Sequence, residues 1–282
     1  ATTYIYTYDL APGASIPTVT ATAVASVASA SIKQASAIPG STVVTVTAGD
    51  GSTQTYTVTF RVNYMAAWDG NGMGTTTDIP SNFGWKCSSD VTWVNADNSN
   101  DTYAYRYRDN FGSGVGRVIT HPVNNNVFSF PVSLTGGKVY NFTCRNSNVN
   151  GTCTTMFGIN MSKDAMGRML NSQSKTSAKW NSLSTFNFNF AAAVSGTYYM
   201  VWQTTNGTDR NIATDFLLTE VGNALNVSFN TDGGSEVATQ YFVEGESYVV
   251  NPPVEPTKNG YVFSGWYKDC LLYTSPSPRD TR

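Results

Sequence analysis

The stretch STVVTVTAGDGSTQTYTVTF alternates apolar and polar side chains on both sides of one tight turn. Val44 and Val46 fall on one side of the first predicted strand, and Thr45 and Thr47 fall on the other, as a period of two residues requires. Asp50-Gly51, between the two halves, is a strong hairpin signal. This stretch therefore predicts two antiparallel strands.

Similar alternation runs through the middle of the chain. NVFSFPVSL and KVYNFTC flank the turn TGGK, and STFNFNF, GTYYMVWQT and IATDFLLTEV follow as further strand signals. In STFNFNF the three Phe share one face, whereas Asn187 and Asn189 share the other. Charged residues make up only 13% of the chain and aromatic residues another 13%, a balance that favours sheets over long helices. We expect an all-β protein.

Residues 1–62 form the first predicted segment. The Ala/Ser/Thr stretch from Thr20 to Ala37 is either a flexible linker or a set of strands with small side chains, and the recurring Val24 and Val27 favour strands. YTYDLAPGASIPTVTA and IPGSTVVTVTAGDGSTQTYTVTF resemble the cadherin-like or immunoglobulin-like sandwich modules of bacterial secreted proteins. Such modules carry further strands before the Tyr-rich one, so the resemblance implies a truncated β-sandwich.

Residues 63–222 form the largest predicted unit. The series SFPVSLTGGKVYNFTC, FNFNFAAAVSGTYYMVWQT and ATDFLLTEV predicts a two-sheet sandwich of jelly-roll type. Its order and spacing are similar to those of the carbohydrate-binding jelly-roll modules appended to bacterial glycan enzymes. The resemblance implies a second β-sandwich in tandem with the first, with a glycan as its ligand.

Residues 223–269 carry the most specific motifs of the chain. FNTDGG, NPPVEPTKNGY and FSGWYKD resemble the Listeria/Bacteroides repeat, the B-type repeat of internalin-like surface proteins. That repeat is a small β-grasp-like module whose further strands should follow Asp269, so we expect a truncated copy. The resemblance implies a parent protein that is extracellular or displayed on a bacterial cell surface.

The tail, residues 270–282, has no strand pattern. Its first eleven residues, CLLYTSPSPRD, agree with one reading frame of a common transposase-based sequencing adapter. We therefore expect the tail to be adapter-derived and the chain to be the translation of a metagenomic fragment cut at both ends. The alternative is a natural strand followed by a Pro-rich linker.

Aromatic side chains beside amides and charges are the candidate glycan-binding residues. Flat rings stack on sugar C–H faces, and sugar hydroxyls pair with amide, carboxylate and guanidinium groups. In DTYAYRYRDN three Tyr alternate with two Arg, and either the Tyr face is core and the Arg face is outside, or the Tyr form a platform. Trp202 in YYMVWQT is predicted in the core. The predicted carbohydrate-binding residues are Trp85, Trp93, Tyr105, Tyr107, Arg108 and Gln203.

A structural calcium ion is implied by the jelly-roll resemblance. The last strand of calcium-containing jelly rolls often carries an Asp where this chain has Asp215, and the ion ties that strand to an early loop. The early loop WDGNGMGTTTD supplies Asp69 and Asn71, whose oxygens are the hard ligands that calcium prefers. The alternative for this loop is a Gly-rich turn capped by its own Asn and Asp side chains.

Two cysteines, Cys144 and Cys153, bracket RNSNVNGT between two strand signals. A disulfide between them would stabilise the domain by roughly 2.5–3 kcal/mol. We predict this disulfide, and a pair of free buried thiols is its alternative.

The residue inventory disfavours catalysis and nucleic-acid binding. All five Glu lie at or beyond Glu220, so a glycosidase in the middle unit would have only Asp for its acid and base. His121, the sole histidine, has no GxSxG or activated nucleophile near it. A net charge of −2 offers no polycationic surface for nucleic acid, and no apolar run is long enough for a membrane helix.

The sequence as a whole predicts a non-catalytic region of a large secreted or cell-surface bacterial protein. Its modules are expected to be monomeric units that bind polysaccharide or host and mucin glycans and tether a polysaccharide-active enzyme to its substrate. The alternative function is an adhesin stalk whose modules bind no sugar.

Overall fold

The computed structural model describes residues 3–65, 86–87, 119–122, 127–148, 152–161, 169–177, 183–205, 210–247, 250 and 254–267. Within these ranges the chain forms fifteen strands in four sheets and no helix, which confirms the predicted all-β fold class. Over the same ranges there is accordingly no helix that is long and apolar enough to cross a membrane.

The N-terminal sheet has the strand order β1-β4-β3-β2, with β1 parallel to β4 and the other neighbours antiparallel. Its strands are β1 (Thr3–Leu10), β2 (Ser29–Lys33), β3 (Gly40–Thr47) and β4 (Thr53–Val62). The predicted hairpin turn joins β3 to β4. Asp50 Oδ1 accepts hydrogen bonds there from Ser52 N at 2.9 Å and Ser52 Oγ at 2.6 Å, and Gly51 supplies the positive φ of 84°.

The strands expected between Thr20 and Ala37 are found only at β2, and residues 11–28 contain no strand. The N–H of Val19 donates to Gln34 Oε1 at 3.2 Å, and its carbonyl accepts from Gln34 Nε2 at 2.7 Å. The Val24 and Val27 side chains are exposed. Residues 20–28 therefore differ from the expectation, and directly before them the backbone of Val19 is paired with a side-chain amide rather than with a neighbouring strand.

Two further sheets form a sandwich of jelly-roll type. The front sheet has the order β10-β9-β12-β7-β5 and the back sheet has the order β11-β8-β13-β6, with antiparallel neighbours throughout. The front strands are β5 (Lys86–Cys87), β7 (Val127–Leu134), β9 (Cys153–Asn160), β10 (Asn171–Ser177) and β12 (Gly196–Thr205). The back strands are β6 (Ile119–Pro122), β8 (Lys138–Asn148), β11 (Ser184–Ala192) and β13 (Arg210–Asn223).

Aromatic rings from both sheets fill the space between them. Phe157 of the front sheet contacts Phe142, Phe186 and Phe216 of the back sheet, with ring centroids 5.6, 4.9 and 6.1 Å apart. The three Phe of STFNFNF all belong to this core, as their spacing predicted. Trp202 is completely buried, which confirms its predicted position.

The turn between β7 and β8 approaches the β11–β12 turn so closely that only glycine fits. A Cβ added at Gly136 would lie 2.8 Å from backbone atoms of Val194 and Ser195. We expect Gly136→Ala to lower the free energy of unfolding by about 1–3 kcal/mol, because the backbone must shift to admit the methyl group. Gly222→Ala is the matched control, since no atom lies within 4 Å of its added Cβ. Urea unfolding curves of equal midpoint for the two variants would contradict this prediction.

The predicted disulfide between Cys144 and Cys153 is wrong, because both thiols are free and buried. β8 does not end near Cys144 but continues to Asn148, a distance of about 13 Å along the strand. Cys153 opens β9 at that far end, where its Sγ accepts from Asn211 Nδ2 at 3.0 Å. A disulfide would require the two Cα atoms to lie within about 7 Å of each other.

Both thiols should be unreactive in the folded protein. Burial raises the pKa of Cys144 well above its ordinary value, and it raises the pKa of Cys153 despite opposing hydrogen bonds from Thr155 and Asn211. In a Cys87→Ser, Cys270→Ser variant, a colorimetric thiol reagent at pH 7 should detect no thiol before unfolding. It should detect two after unfolding in urea without reductant. If the unfolded sample shows no free thiol, Cys144 and Cys153 form a disulfide after all.

The residues after β4 fasten the N-terminal sheet to the sandwich. The side chain of Asn63 is buried and donates to Phe216 O at 3.1 Å, while its Oδ1 accepts from Leu218 N at 3.1 Å. Tyr64 N donates to Leu218 O at 2.8 Å. These bonds reach β13 beside a break in its pairing with β8, between Thr214 and Leu217. Asn63 and Tyr64 thus supply partners for backbone groups of β13 near this break.

A single residue separates the sandwich from the C-terminal sheet of β14 (Leu225–Val227) and β15 (Gln240–Phe242). That residue, Ala224, donates its N–H to Gly137 O at 2.9 Å. The ring of Tyr241 also lies near Gly137, since a Cβ added there would be 3.8 Å from Tyr241 Cε1. The C-terminal sheet is therefore held against the end of the sandwich rather than carried on a loose linker.

Candidate functional site

Of the six predicted carbohydrate-binding residues, Gln203 alone lies within the described residues. It sits in β12, half-buried, with Val127 and Met156 as its cross-strand neighbours. Its neighbour Trp202 points into the core, so Gln203 faces the outer side of the front sheet. Its role in binding stays a prediction. The other predicted residues, Trp85, Trp93, Tyr105, Tyr107 and Arg108, lie outside the described part of the chain.

The calcium site implied for Asp215 has a competing cation. Asp215 lies in β13 at the irregularity of the strand, with a positive φ of 54°, and its carboxylate forms an ion pair with Arg145 of β8. The calcium ion stays a prediction, with the Arg145 guanidinium as a second cation on the same carboxylate. The expected partners Asp69 and Asn71 lie outside the described residues. No group of three or more His, Cys, Asp or Glu that could hold a metal occurs in the described ranges.

A groove of about 1040 Å³ lies where the C-terminal sheet meets the sandwich, and we call it the junction groove. One wall comes from the loop before β10 and from β11, and the other from the segment around β15. The lining residues used below are Leu170, Asn171, Asn189, Glu236, Tyr241, Glu246, Val254 and Glu255.

The sandwich wall presents amides that are fixed by hydrogen bonds. Asn189 Oδ1 accepts from Asn141 Nδ2 at 2.9 Å, so the orientation of the Asn189 side chain is set from within the back sheet. Asn171 Nδ2 donates to the backbone carbonyl of Asn189, which joins the start of β10 to β11. Leu170, beside Asn171, is 45% exposed and gives this wall an apolar patch.

The C-terminal wall presents an aromatic ring and carboxylates. Tyr241 of β15 is half-buried and lines the groove, as Glu236 does. Glu246 Oε1 accepts from Asn189 Nδ2 at 3.3 Å, so one hydrogen bond links the two walls of the groove. Val254 lines the rim and is 89% exposed.

The groove carries one sign of charge over the described residues that line it. Three carboxylates, those of Glu236, Glu246 and Glu255, line it, and no Lys, Arg or His does so. Two cations among the described residues are engaged outside the groove: Lys138 Nζ lies 3.0 Å from Glu220 Oε1, and Lys258 Nζ lies 3.3 Å from Asp232 Oδ2. The site can therefore offer a flat ring, amides and an excess of hydrogen-bond acceptors to a ligand.

Sequence reasoning did not single out these groove residues. Two features of the sequence concern them: Asn189 lies on the face of STFNFNF opposite the three Phe, and all five Glu lie at or beyond Glu220. Neither feature could bring the two sets together, because the groove depends on how the C-terminal sheet docks on the sandwich. Tyr241 has no motif of its own in the sequence.

Comparison with known families matches the C-terminal part of the chain. Residues 226–277 match the family Flg_new, the Listeria-Bacteroides repeat domain, which confirms the resemblance stated for FNTDGG and its companion motifs. The match runs to residue 277, past the boundary predicted at Asp269 and into CLLYTSPSPRD. No curated protein sequence matches the chain.

Solved structures similar to this chain include carbohydrate-binding modules. TmCBM61 in complex with β-1,4-galactotriose is 13% identical with a TM-score of 0.37, and the alignment covers 56% of this chain and 99% of that one. The CBM22-1 xylan-binding domain from Paenibacillus barcinonensis Xyn10C is 9% identical with a TM-score of 0.38, covering 52% and 92%. These likenesses concern the all-β fold and do not indicate which residues of this chain bind a ligand.

Proposed function

We propose that this chain is a non-catalytic glycan-binding region of a secreted or cell-surface bacterial protein, and that the glycan binds in the junction groove. The observation that carries the proposal is the lining of that groove, which includes the Tyr241 ring, the amides of Asn171 and Asn189 and three carboxylates. A flat ring beside convergent hydrogen-bonding groups is the chemistry that recognises a sugar. Its volume also matches the size of ligand sites, about 300–1,000 Å³.

The groove would act as a tether rather than as a catalyst. Weak stacking and hydrogen-bond contacts hold the parent protein near its polysaccharide, which raises the effective concentration of any enzyme carried on the same chain. The connection through Ala224 and Gly137 keeps the two walls of the groove in a fixed relation. Further contacts from Trp85, Trp93, Tyr105, Tyr107, Arg108 and Gln203 remain part of this proposal as a second region of glycan contact.

Affinity electrophoresis of the full chain tests the proposal. Native gels containing neutral plant polysaccharides, acidic plant polysaccharides or mucin are run beside gels with no glycan. We expect retardation in at least one glycan gel, and we expect Tyr241→Ala to weaken it several-fold because the stacking face is lost.

The control for this experiment is Tyr267→Ala. Tyr267 also lies in the C-terminal region and is 69% exposed, but it is not among the residues that line the groove. Its removal should leave retardation unchanged. Folded protein that migrates alike in every gel would overturn the proposed function. Equal losses from the two Tyr variants would overturn the assignment to the groove.

A second candidate is a stiff spacer in an adhesin stalk. The observation in its favour is the junction itself, since Ala224 alone separates β13 from β14 and its N–H is bonded to Gly137 O. A spacer needs a fixed relation between modules and no ligand. Unretarded migration in all gels, together with a stable folded chain, is the result that favours this candidate.

A further inference from the structure

We infer that the junction groove prefers glycans with free amino groups, such as glucosamine oligomers, over neutral glycans and binds acidic glycans more weakly than neutral ones. This inference rests on the proposed function. It follows from the charges and hydrogen-bonding groups of the lining residues, because three of these residues carry a carboxylate.

The carboxylates of the groove keep their charge available to a ligand. None of Glu236, Glu246 and Glu255 forms an ion pair with a described residue, and Lys138 and Lys258 are bound to Glu220 and Asp232. A unit charge brought within about 4 Å of one carboxylate at a solvated surface changes affinity about fivefold. A sugar ammonium is therefore favoured here, and a uronate or sialate is disfavoured by the same factor.

The carboxylates also favour donors on the ligand, although Ser235, Thr239, Gln240 and Ser247 line the groove as well and can themselves donate. The Nδ2 group of Asn189 is engaged by Glu246, and that of Asn171 is engaged by the carbonyl of Asn189. One N–H of each amide is therefore used within the protein, whereas the carboxylate oxygens are acceptors only. An ammonium group carries three N–H donors and no acceptor, so it complements this lining better than a carboxylate ligand does.

Three hexamers of matched length test the inference by isothermal titration calorimetry on the full chain. They are fully deacetylated glucosamine hexamer, its N-acetylated counterpart and a galacturonate hexamer. We expect the amine form to bind at least about fivefold more tightly than the acetylated form at low salt. The galacturonate form should bind at least about fivefold more weakly than the acetylated form. The preference should shrink as salt is raised, because exposed charges are screened.

Matched variants separate the groove from the net charge of the chain. Glu246→Gln should reduce the preference for the amine form while the acetylated form still binds. Glu244→Gln makes the same change in net charge at an exposed residue that does not line the groove, and it should leave the preference intact.

Each outcome bears on a distinct claim. Equal binding of the amine and acetylated forms, or binding of galacturonate as tight as that of the acetylated form, would overturn the inference and leave the proposed function standing. An equal effect of the two Glu variants would also overturn it. No binding of any hexamer would overturn the inference, and retardation in the glycan gels would then decide whether the proposed function stands.

Discussion

Replacing Asn211 with Ala should lower the free energy of unfolding by about 3–5 kcal/mol, although Asn211 is a polar residue in a strand. Its side chain is completely buried in the sandwich. Oδ1 accepts from Trp202 Nε1 at 3.0 Å and from Asn146 Nδ2 at 2.6 Å. Nδ2 donates to Thr155 Oγ1 at 2.9 Å and to Cys153 Sγ at 3.0 Å.

The size of this effect follows from the number of bonds lost at once. A buried hydrogen bond contributes about 1 kcal/mol net, and removing one partner inside the core costs more than that average. Asn187→Ala is the control, because Asn187 is exposed on the outer face of the back sheet and should change stability by less than about 1 kcal/mol. Urea unfolding monitored by Trp fluorescence measures both. A loss under about 1 kcal/mol for Asn211→Ala would show that the buried amide does not organise this end of the core.

Replacing Phe157 with Ala should lower the free energy of unfolding by about 3–5 kcal/mol. Here the cause is lost packing rather than lost hydrogen bonds. The Phe157 ring is completely buried and stacks on Trp202 with centroids 5.5 Å apart. It also contacts Phe142, Phe186 and Phe216, so it joins the front sheet to the back sheet. Its removal leaves a cavity at the centre of the aromatic cluster.

Phe157→Leu is the matched control for this prediction. Leu keeps an apolar side chain at the site and should recover more than half of the loss, because the cavity that remains is smaller. Differential scanning calorimetry of the two variants and the unchanged chain measures the difference. Equal melting temperatures for the Ala and Leu variants would mean that the ring does not contribute through volume.

Alternation predicted the strands of the sandwich because a strand with one buried face leaves a period of two in the sequence. The Phe of STFNFNF and the burial of Trp202 followed from that rule alone. The same rule fails at the polar end of the core, where Asn146, Asn211 and Thr155 point inward although their residue types suggest a solvent-facing position. Their burial depends on hydrogen bonds between strands that are distant in sequence, which no local period records.

The candidate site was less predictable than the fold. Asn189 was correctly placed on the polar face of its strand, but its contact with Glu246 joins residues 57 positions apart. The junction groove exists because β14 and β15 dock beside Gly137, and docking of this kind leaves no pattern in either segment. The disulfide prediction failed for a related reason, since the sequence between Cys144 and Cys153 does not show that β8 continues to Asn148.

Hydrogen exchange measured by mass spectrometry tests the central claim most directly. Exchange rates of the full chain are compared without ligand and with a saturating concentration of a hexasaccharide that calorimetry has shown to bind. The account predicts slower exchange in peptides covering residues 169–171, 189–193 and 235–246, with no change in β3 and β4. Slower exchange confined to the strands around Gln203, with residues 235–246 unchanged, would contradict the assignment of glycan binding to the junction groove.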